Sequence, residues 1–359
     1  MIDQMIDQMS DPMTAGLPRS PGVWKLAWMR LQRDRVGVAS LSVTVVFLVV
    51  VLLSSLGVLA SSWQIEKAVP FAPPHFVGAS AVVKAISKTD EGASVLDITD
   101  VDPLAPRYKE WRERTSKVAT VVSDKSDTLL FGADRLGRSV VEKAVKGAQV
   151  SITVGITAAL FATVIGTLLG AVGGYFGGAV DDLLEWIYNV FTSVPYILLV
   201  FALAALFKSG PLAKILSSGV WTIIIILSAV GWTGIYRLVR AEYIKHRLRE
   251  YVRAAEAIGA THACRMFVHI LPNISHVVLV QLSLHVVSFI KAEVILSFLG
   301  FGVPIDMVSW GTMLSEAQTE LVLGKWWQLV AATLFMATFV TAFALLTDAM
   351  RDAMDPKLN

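Results

Sequence analysis

EYVRAAEAIGATHACRMFVHILPN occupies residues 250–273, between two strongly apolar stretches. It is the most polar and most patterned connection in the second half of the chain. Its alanine-rich start, with charges spaced along it, predicts a short helix over residues 250–258. Gly259 then stops that helix, where a left-handed backbone is needed, and Thr261 can cap a second one. In the second helix Met266, Phe267, Ile270 and Leu271 share one face, and His262, Arg265 and His269 share the other. Pro272 ends the unit. The product is a small-residue knuckle, Ala254-Ala255 through Gly259-Ala260, carried on a helix-turn-helix. Alanine and glycine there allow another protein to approach closely, as a helix does in a groove. The plainer reading is an amphipathic hairpin resting on lipid.

The flanking sequence decides what carries this knuckle. Of 359 residues 55% are hydrophobic and only 17% charged, against about a quarter charged in soluble chains. The apolar residues gather in six runs, 36–60, 150–174, 187–207, 215–236, 274–299 and 326–347. Each is long enough to cross a hydrocarbon core, which takes about 20 helical residues. Five carry no charge; the run 274–299 carries Lys291 and Glu293. The first run follows a long charged leader and is too long for a cleaved signal, so it reads as a retained helix. The reading is an all-α membrane protein with six transmembrane helices.

Orientation follows from Lys and Arg in the short loops. With the N-terminus inside, inside segments hold Arg19, Lys25, Arg30, Arg33 and Arg35, then seven basic residues from Arg237 to Arg265, then Arg351 and Lys357. The short outside loops hold only Lys208, Lys214 and Lys325. One inside turn, 175–186, runs against the rule, with Asp181, Asp182 and Glu185 and no base. Both termini and the 250–273 loop are expected to be cytoplasmic.

Residues 1–35 form a cytoplasmic leader. Its repetitive start MIDQMIDQM offers little for a core, and residues 24–35 read as a basic helix on the inner membrane surface. After the first span (36–60), residues 61–147 predict a small external subdomain, with strand character in VLDITDV and a polar helix in RYKEWRERTSKV. Residues 148–359 form a five-helix core containing the loop 241–273. Gly166, Gly170, Gly174 and Gly178, four apart, predict close helix packing. Pro195 is expected to kink the third span or mark its entry. Lys291 and Glu293 are candidate pathway or interface residues. A charge at mid-membrane costs about 2.5–3.5 kcal/mol on insertion scales, but these two lie some 25 Å along their helix by its rise. That places them near the outer interface, where lysine can snorkel.

Several chemistries lack their residues. No G-x-x-x-x-G-K-[ST] phosphate loop occurs, and GGYFGG lacks the lysine that would reach a nucleotide phosphate. No zinc-protease or nucleophile-elbow motif appears. His262, Cys264 and His269 do not share a face suited to a metal, and a single cysteine excludes an internal disulfide. The net charge of +2 gives no reason to invoke nucleic acid. ATP hydrolysis by this chain is not expected.

The 250–273 stretch resembles the EAA loop of permease subunits of bacterial ATP-binding-cassette importers, E-A-A-x(3)-G-x(9)-I-x-L-P. Ala254, Ala255, Gly259, Leu271 and Pro272 match; Arg253 replaces the glutamate and His269 the isoleucine, with Glu250 and Glu256 as nearby acids. FGADRLGRSVVEKAVKGAQVSITVG is similar to the L-G-T-D-x-x-G-R-D-V segment of the oligopeptide/dipeptide/nickel branch. There Asp134, Gly137 and Arg138 match, while Ala133 and Ser139 depart. EVILSFLGFGVPIDMVSWGTML, around Glu293, and the ending LTDAMRDAMDPKLN also match the second, C-type permease of that branch.

The resemblance implies the type I importer permease fold in the bacterial inner membrane. It implies a homologous second permease, two ATPase subunits that bind ATP and magnesium, and an external substrate-binding protein, with no cofactor in this chain. The ATPase would meet Glu250, Arg253, Ala254, Ala255, Glu256, Gly259, Ala260 and Thr261. The expected cargo is a di- or oligopeptide, with nickel or another small solute as alternatives. A different class of function, an ion-coupled secondary transporter, would rest on Lys291 and Glu293.

Overall fold

A 37-residue helix, α3 (Val140–Phe176), is the post around which the other elements pack. The structure, a computed structural model, describes residues 23–78, 125–209, 219–304 and 306–354, with 107, 108, 110, 111, 113 and 114 between them. The leader motif 1–9 and VLDITDV lie outside these residues. The six described positions of RYKEWRERTSKV are helical.

The other helices are α1 (Val23–Arg33), α2 (Arg35–Ser55), α4 (Gly178–Thr192), α5 (Tyr196–Ser209), α6 (Val220–His246) and α7 (Glu250–Ala257). They are followed by α8 (His262–Phe298), α9 (Trp310–Val322) and α10 (Trp327–Met354). Five of them, α2, α3, α6, α8 and α10, are long and apolar enough to span a membrane, and the pair α4–α5 brings the total to six if counted as one bent span. Asp34 separates α1 from α2 by accepting hydrogen bonds from the Val36 and Gly37 N–H groups, which caps α2.

The glycine spacing does what close packing requires at three of its four positions. A Cβ on Gly166, Gly170 or Gly174 would lie 2.6, 2.7 or 2.5 Å from the carbonyl oxygens of Trp232, Tyr236 and Arg240. The backbones of α3 and α6 therefore touch along three turns. Gly178 does not continue the stripe. The helix ends at Phe176, Gly177 and Gly178 both have positive φ, and nothing lies within 4 Å of a Cβ at Gly178.

Around α3 the main core joins Ile152, Leu227, Phe289, Ile290, Trp310 and Phe339 from α3, α6, α8, α9 and α10. A second cluster joins Val252 of α7 and Met266 and Ile270 of α8 to Ala171, Val239 and Tyr243. The knuckle is thus welded to the ends of α3 and α6 by buried apolar side chains, each worth about 1.5–3 kcal/mol.

The kink expected at Pro195 is present: within the run 187–207, α4 and α5 meet at 85° across residues 193–195. Pro195 supplies the break: it cannot donate to the helical ladder, and its own carbonyl accepts from the Leu198 and Leu199 N–H groups at the start of α5. Pro272 does not end the second knuckle helix, which runs on unbroken to Phe298. Residues Arg265–Ile270 form a π-turn, with the Leu271 N–H bonded to the Met266 carbonyl. Opening the ladder just before Pro272 relieves the clash that proline makes with the preceding turn.

Candidate functional site

The knuckle begins with α7 and turns at Gly259, whose φ is +84°. The Ala260 N–H donates to the Ala255 carbonyl at 3.0 Å and the Gly259 N–H to that of Glu256 at 2.9 Å, closing the helix end. Thr261 caps α8 through its hydroxyl, which accepts from the Cys264 N–H at 3.3 Å. Nothing lies within 4 Å of a Cβ at Gly259. Its glycine is required by backbone conformation, not by space.

The small residues of the knuckle are not equivalent. Val252 and Ala255 are buried against the chain itself, whereas Ala254, Ala257 and Gly259 are exposed. Ile258, at the tip, is 85% exposed. Of the other expected contact residues, Glu250, Arg253 and Thr261 are exposed and Ala260 is half-buried. Ala255 therefore cannot present its side chain to a partner in this conformation.

The acids and bases around the turn are also sorted. Glu256 is bonded to Arg265 at 2.7 Å. Arg265 donates to Nδ1 of His262 at 2.9 Å and lies over the ring of Tyr175, 5.8 Å from its centroid. Arg253, at the position of the motif glutamate, has no side-chain partner among the described residues. The expected faces of the second helix need correction as well. Arg265 is buried and Phe267 is 40% exposed. The π-turn adds a residue to one turn, which rotates the faces relative to a uniform helix.

The acidic turn 175–186, the exception to the charge rule, has its counter-ion in α6. Arg240 bonds Asp181 at 2.5 and 2.7 Å and approaches Glu185 at 3.2 Å. Among the described residues no cluster of His, Cys, Asp or Glu could hold a metal ion.

Lys291 and Glu293 have opposite fates. Glu293 is fully buried, accepting from the hydroxyls of Ser151 and Ser297, each at 2.6 Å. Ser151 in turn accepts from the Trp310 N–H at 3.2 Å, so the carboxyl ties α8 to α3 and α9. It is neither at a snorkelling position nor open to a pathway. Lys291, two residues earlier, points the other way, is exposed, and has no partner among the described residues.

The second matched motif builds a knot at the start of α3. Asp134 is fully buried and receives N–H groups of Leu136 and Arg138, both at 2.9 Å, and the Arg138 side chain at 2.7 Å. The Lys143 ammonium, 1% exposed, lies 2.8 Å from Asp134, 2.6 Å from Glu316 of α9 and 3.3 Å from Gln328 of α10. Gly137 has φ +78°, and a Cβ there would lie 2.0 Å from the Ala68 carbonyl oxygen. Burial alone would raise the Asp134 pKa, but the Lys143 charge and hydrogen bonds from Lys143 and Arg138 reverse this and hold it below the usual value. Glu320 of α9 lies nearby, accepting the Arg135 N–H at 3.3 Å. Its other oxygen has no partner, and burial pushes its pKa up to about 7. Glu316, Glu320 and Gln328 escaped the sequence reading because their partners lie some 170 to 190 residues away.

The bundle of membrane helices, with the knuckle at one end and polar knots that bind helix to helix, has the build of a membrane-transport subunit. Comparison with known proteins agrees. Residues 162–359 match the family described as binding-protein-dependent transport system inner membrane component, and the chain belongs to that family. It is similar to the dipeptide transport system permease protein DppC of Bacillus subtilis (strain 168), at 32% identity over 229 residues, covering 64% of this chain and 69% of the relative. The oligopeptide transport system permease protein OppC of the same organism is 33% identical over 256 residues, covering 71% and 81%. OppC of Haemophilus influenzae is 33% identical over 227 residues, covering 63% and 70%.

The chain is thus a multi-pass inner-membrane permease of an ATP-binding-cassette transporter, working with a binding protein and ATPase partners and not itself the catalytic subunit. The ion-coupled alternative falls with this membership, and the burial of Glu293 removes its main structural support.

Proposed function

We propose that this permease imports di- or oligopeptides, forms one half of the translocation path, and couples to the ATPase through the knuckle at residues 250–261. The names of its relatives, dipeptide and oligopeptide permeases, favour this cargo over nickel. One observation carries the coupling role. The turn at Gly259 projects Ile258, 85% exposed, from a base fixed by Val252, Met266 and Tyr243 to the ends of α3 and α6. A push on the tip is therefore delivered to the two helices that touch along three turns.

In this reading the second permease is a homologue, two ATPases dock from the cytoplasm, and an external binding protein delivers cargo. Both termini are cytoplasmic. ATP closes the ATPase pair, the knuckle moves with it, and the helices alternate between two openings. The test is purification from the native membrane, with bound subunits and ligand identified by mass spectrometry, followed by reconstitution. Uptake of a labelled peptide that requires ATP and the binding protein supports the proposal. A complex that carries only a metal or a non-peptide solute refutes its cargo.

A further inference from the structure

The outward face of α8 carries amide and charged side chains that the outward stripe of α3 lacks. On α3 the exposed stripe is apolar from Leu160 through Phe161, Val164 and Ile165 to Leu168, with one exposed hydroxyl, Thr153, two turns earlier. On α8 the buried side is fixed by Ile274, His285, Phe289 and Glu293. The opposite side, at helical spacing, carries Asn273, His276, Gln281, Ser288 and Lys291. Gln281 is half-buried and the other four are exposed. Neither the Ser288 hydroxyl nor the Lys291 ammonium has a partner among the described residues, although Ser283, one turn earlier, bonds the Leu279 carbonyl. Gln281 is bonded to Nε2 of His285 at 3.2 Å and Asn273 donates to the His269 carbonyl at 2.6 Å. The groups of this polar stripe that hydrocarbon would leave unsatisfied are therefore the Ser288 hydroxyl and the Lys291 ammonium, and these belong to a wet path or to another protein.

Two observations favour the path. The inner half of the stripe borders a cavity of about 340 Å³, lined by His276, Gln281, Leu284, Leu238 and Arg351. Lys291 also lies two turns before the end of α8, so the helix continues well past it. The charged side chains on the stripe and this cavity, Lys291 and Arg351, are both cationic. We infer that the outward face of α8 lines the translocation path and that Lys291 receives the terminal carboxylate of the passing peptide. The carboxylate assignment rests on the peptide reading; the path assignment does not.

The test uses the whole reconstituted transporter in a Cys264→Ser background. Single cysteines replace Gln281, Ser288 and, as the lipid-facing control, Leu168. A charged, water-soluble thiol reagent should label the two α8 positions at least tenfold faster than Leu168→Cys. Equal rates overturn the path, whatever the cargo. Uptake is then compared for one peptide as the free acid and as its terminal amide. Lys291→Gln should lower the acid-to-amide ratio about tenfold, and Lys291→Arg should keep it. An unchanged ratio overturns the role of Lys291. So does a Lys291→Gln variant that fails to copurify with the second permease, since Lys291 would then be an interface residue. If the wild type takes up neither form, the carboxylate assignment falls with the peptide reading, and the labelling rates still decide the path.

Discussion

The Lys143 ammonium lies 2.8 Å from the Asp134 carboxylate, and neither side chain is more than 1% exposed. Removing one partner from a buried pair costs about 3–5 kcal/mol, because the other charge is left in a medium that cannot solvate it. Here Arg138 still holds Asp134, so Lys143→Met should fall near the lower limit, about 3 kcal/mol. Thermal unfolding of the purified chain in detergent should drop by several degrees. The double variant Lys143→Met with Asp134→Asn should recover part of the loss. Additive losses would mean that the two groups do not act as a pair.

Glu320 gives the same region a pH dependence of definite sign. Its folded pKa, about 7, is raised above the ordinary value of 4.5. The folded chain therefore holds a proton that the unfolded chain has already released, and stability falls as pH rises from about 4.5 to about 7. Asp134 acts oppositely and in a lower window. Its depressed pKa contributes stability above its ordinary value of 3.8, which is lost as pH falls through the folded value. Unfolding temperatures between pH 5 and pH 7.5 should decline in the wild type, and Glu320→Gln should flatten that decline. A variant with the wild-type slope would exclude Glu320 as the cause.

Glycine substitutions should separate contact from conformation. A Cβ on Gly170 would meet the Tyr236 carbonyl oxygen at 2.7 Å and the Arg240 nitrogen at 3.0 Å, and backbone cannot rotate aside. Gly170→Ala should force α3 and α6 apart and cost about 1–3 kcal/mol, as overpacking does. At Gly234 the nearest atom is His285 Nε2 at 3.7 Å, an ordinary contact. Gly234→Ala should stabilise α6 by about 0.5–1 kcal/mol through the entropy that glycine forfeits in a helix. Unfolding temperatures that move in the same direction for both would refute the distinction.

What was legible in sequence was what depends on local pattern. The apolar runs located the spans, the Gly166–Gly170–Gly174 spacing located the tightest helix contact, and Gly259 with Thr261 located the turn. The misreadings share another cause. Helical faces in 262–271 were drawn with a uniform period, and the π-turn before Pro272 changed it. Depth along the helix places Lys291 and Glu293 together near the outer interface, and their spacing says only that they point in different directions. Which of them is sealed depends on Ser151, 142 residues from Glu293, and no local spacing reveals that contact. The partners of Asp134 were hidden in the same way, since Glu316 and Gln328 reach Lys143 across 173 and 185 residues.

The last prediction concerns the knuckle, where sequence treated Ala254 and Ala255 alike and the structure does not. Ala255 is 4% exposed and packs inward, while Ala254 and Ile258 are exposed. In the assembled transporter, single cysteines at Ala254 and Ile258 should cross-link to cysteines on the ATPase surface with a nucleotide-dependent yield. One at Ala255 should not. Ile258→Asp should weaken ATPase association, because it replaces the exposed apolar tip with a carboxylate that must lose its water when the contact buries it. Gly259 tests the geometry separately from the contact. Its φ of +84° costs a β-branched residue roughly 1–2 kcal/mol, and nothing nearby obstructs the side chain. Gly259→Val should therefore leave membrane insertion intact and lower transport per ATP hydrolysed, by tilting Ile258 away from its partner. Gly259→Ala should do the same more weakly. Should Ala255→Cys cross-link as well as Ala254→Cys while Gly259→Val transports at the wild-type rate, α7 would not dock in the orientation its buried face requires, and the coupling role of the turn would be wrong.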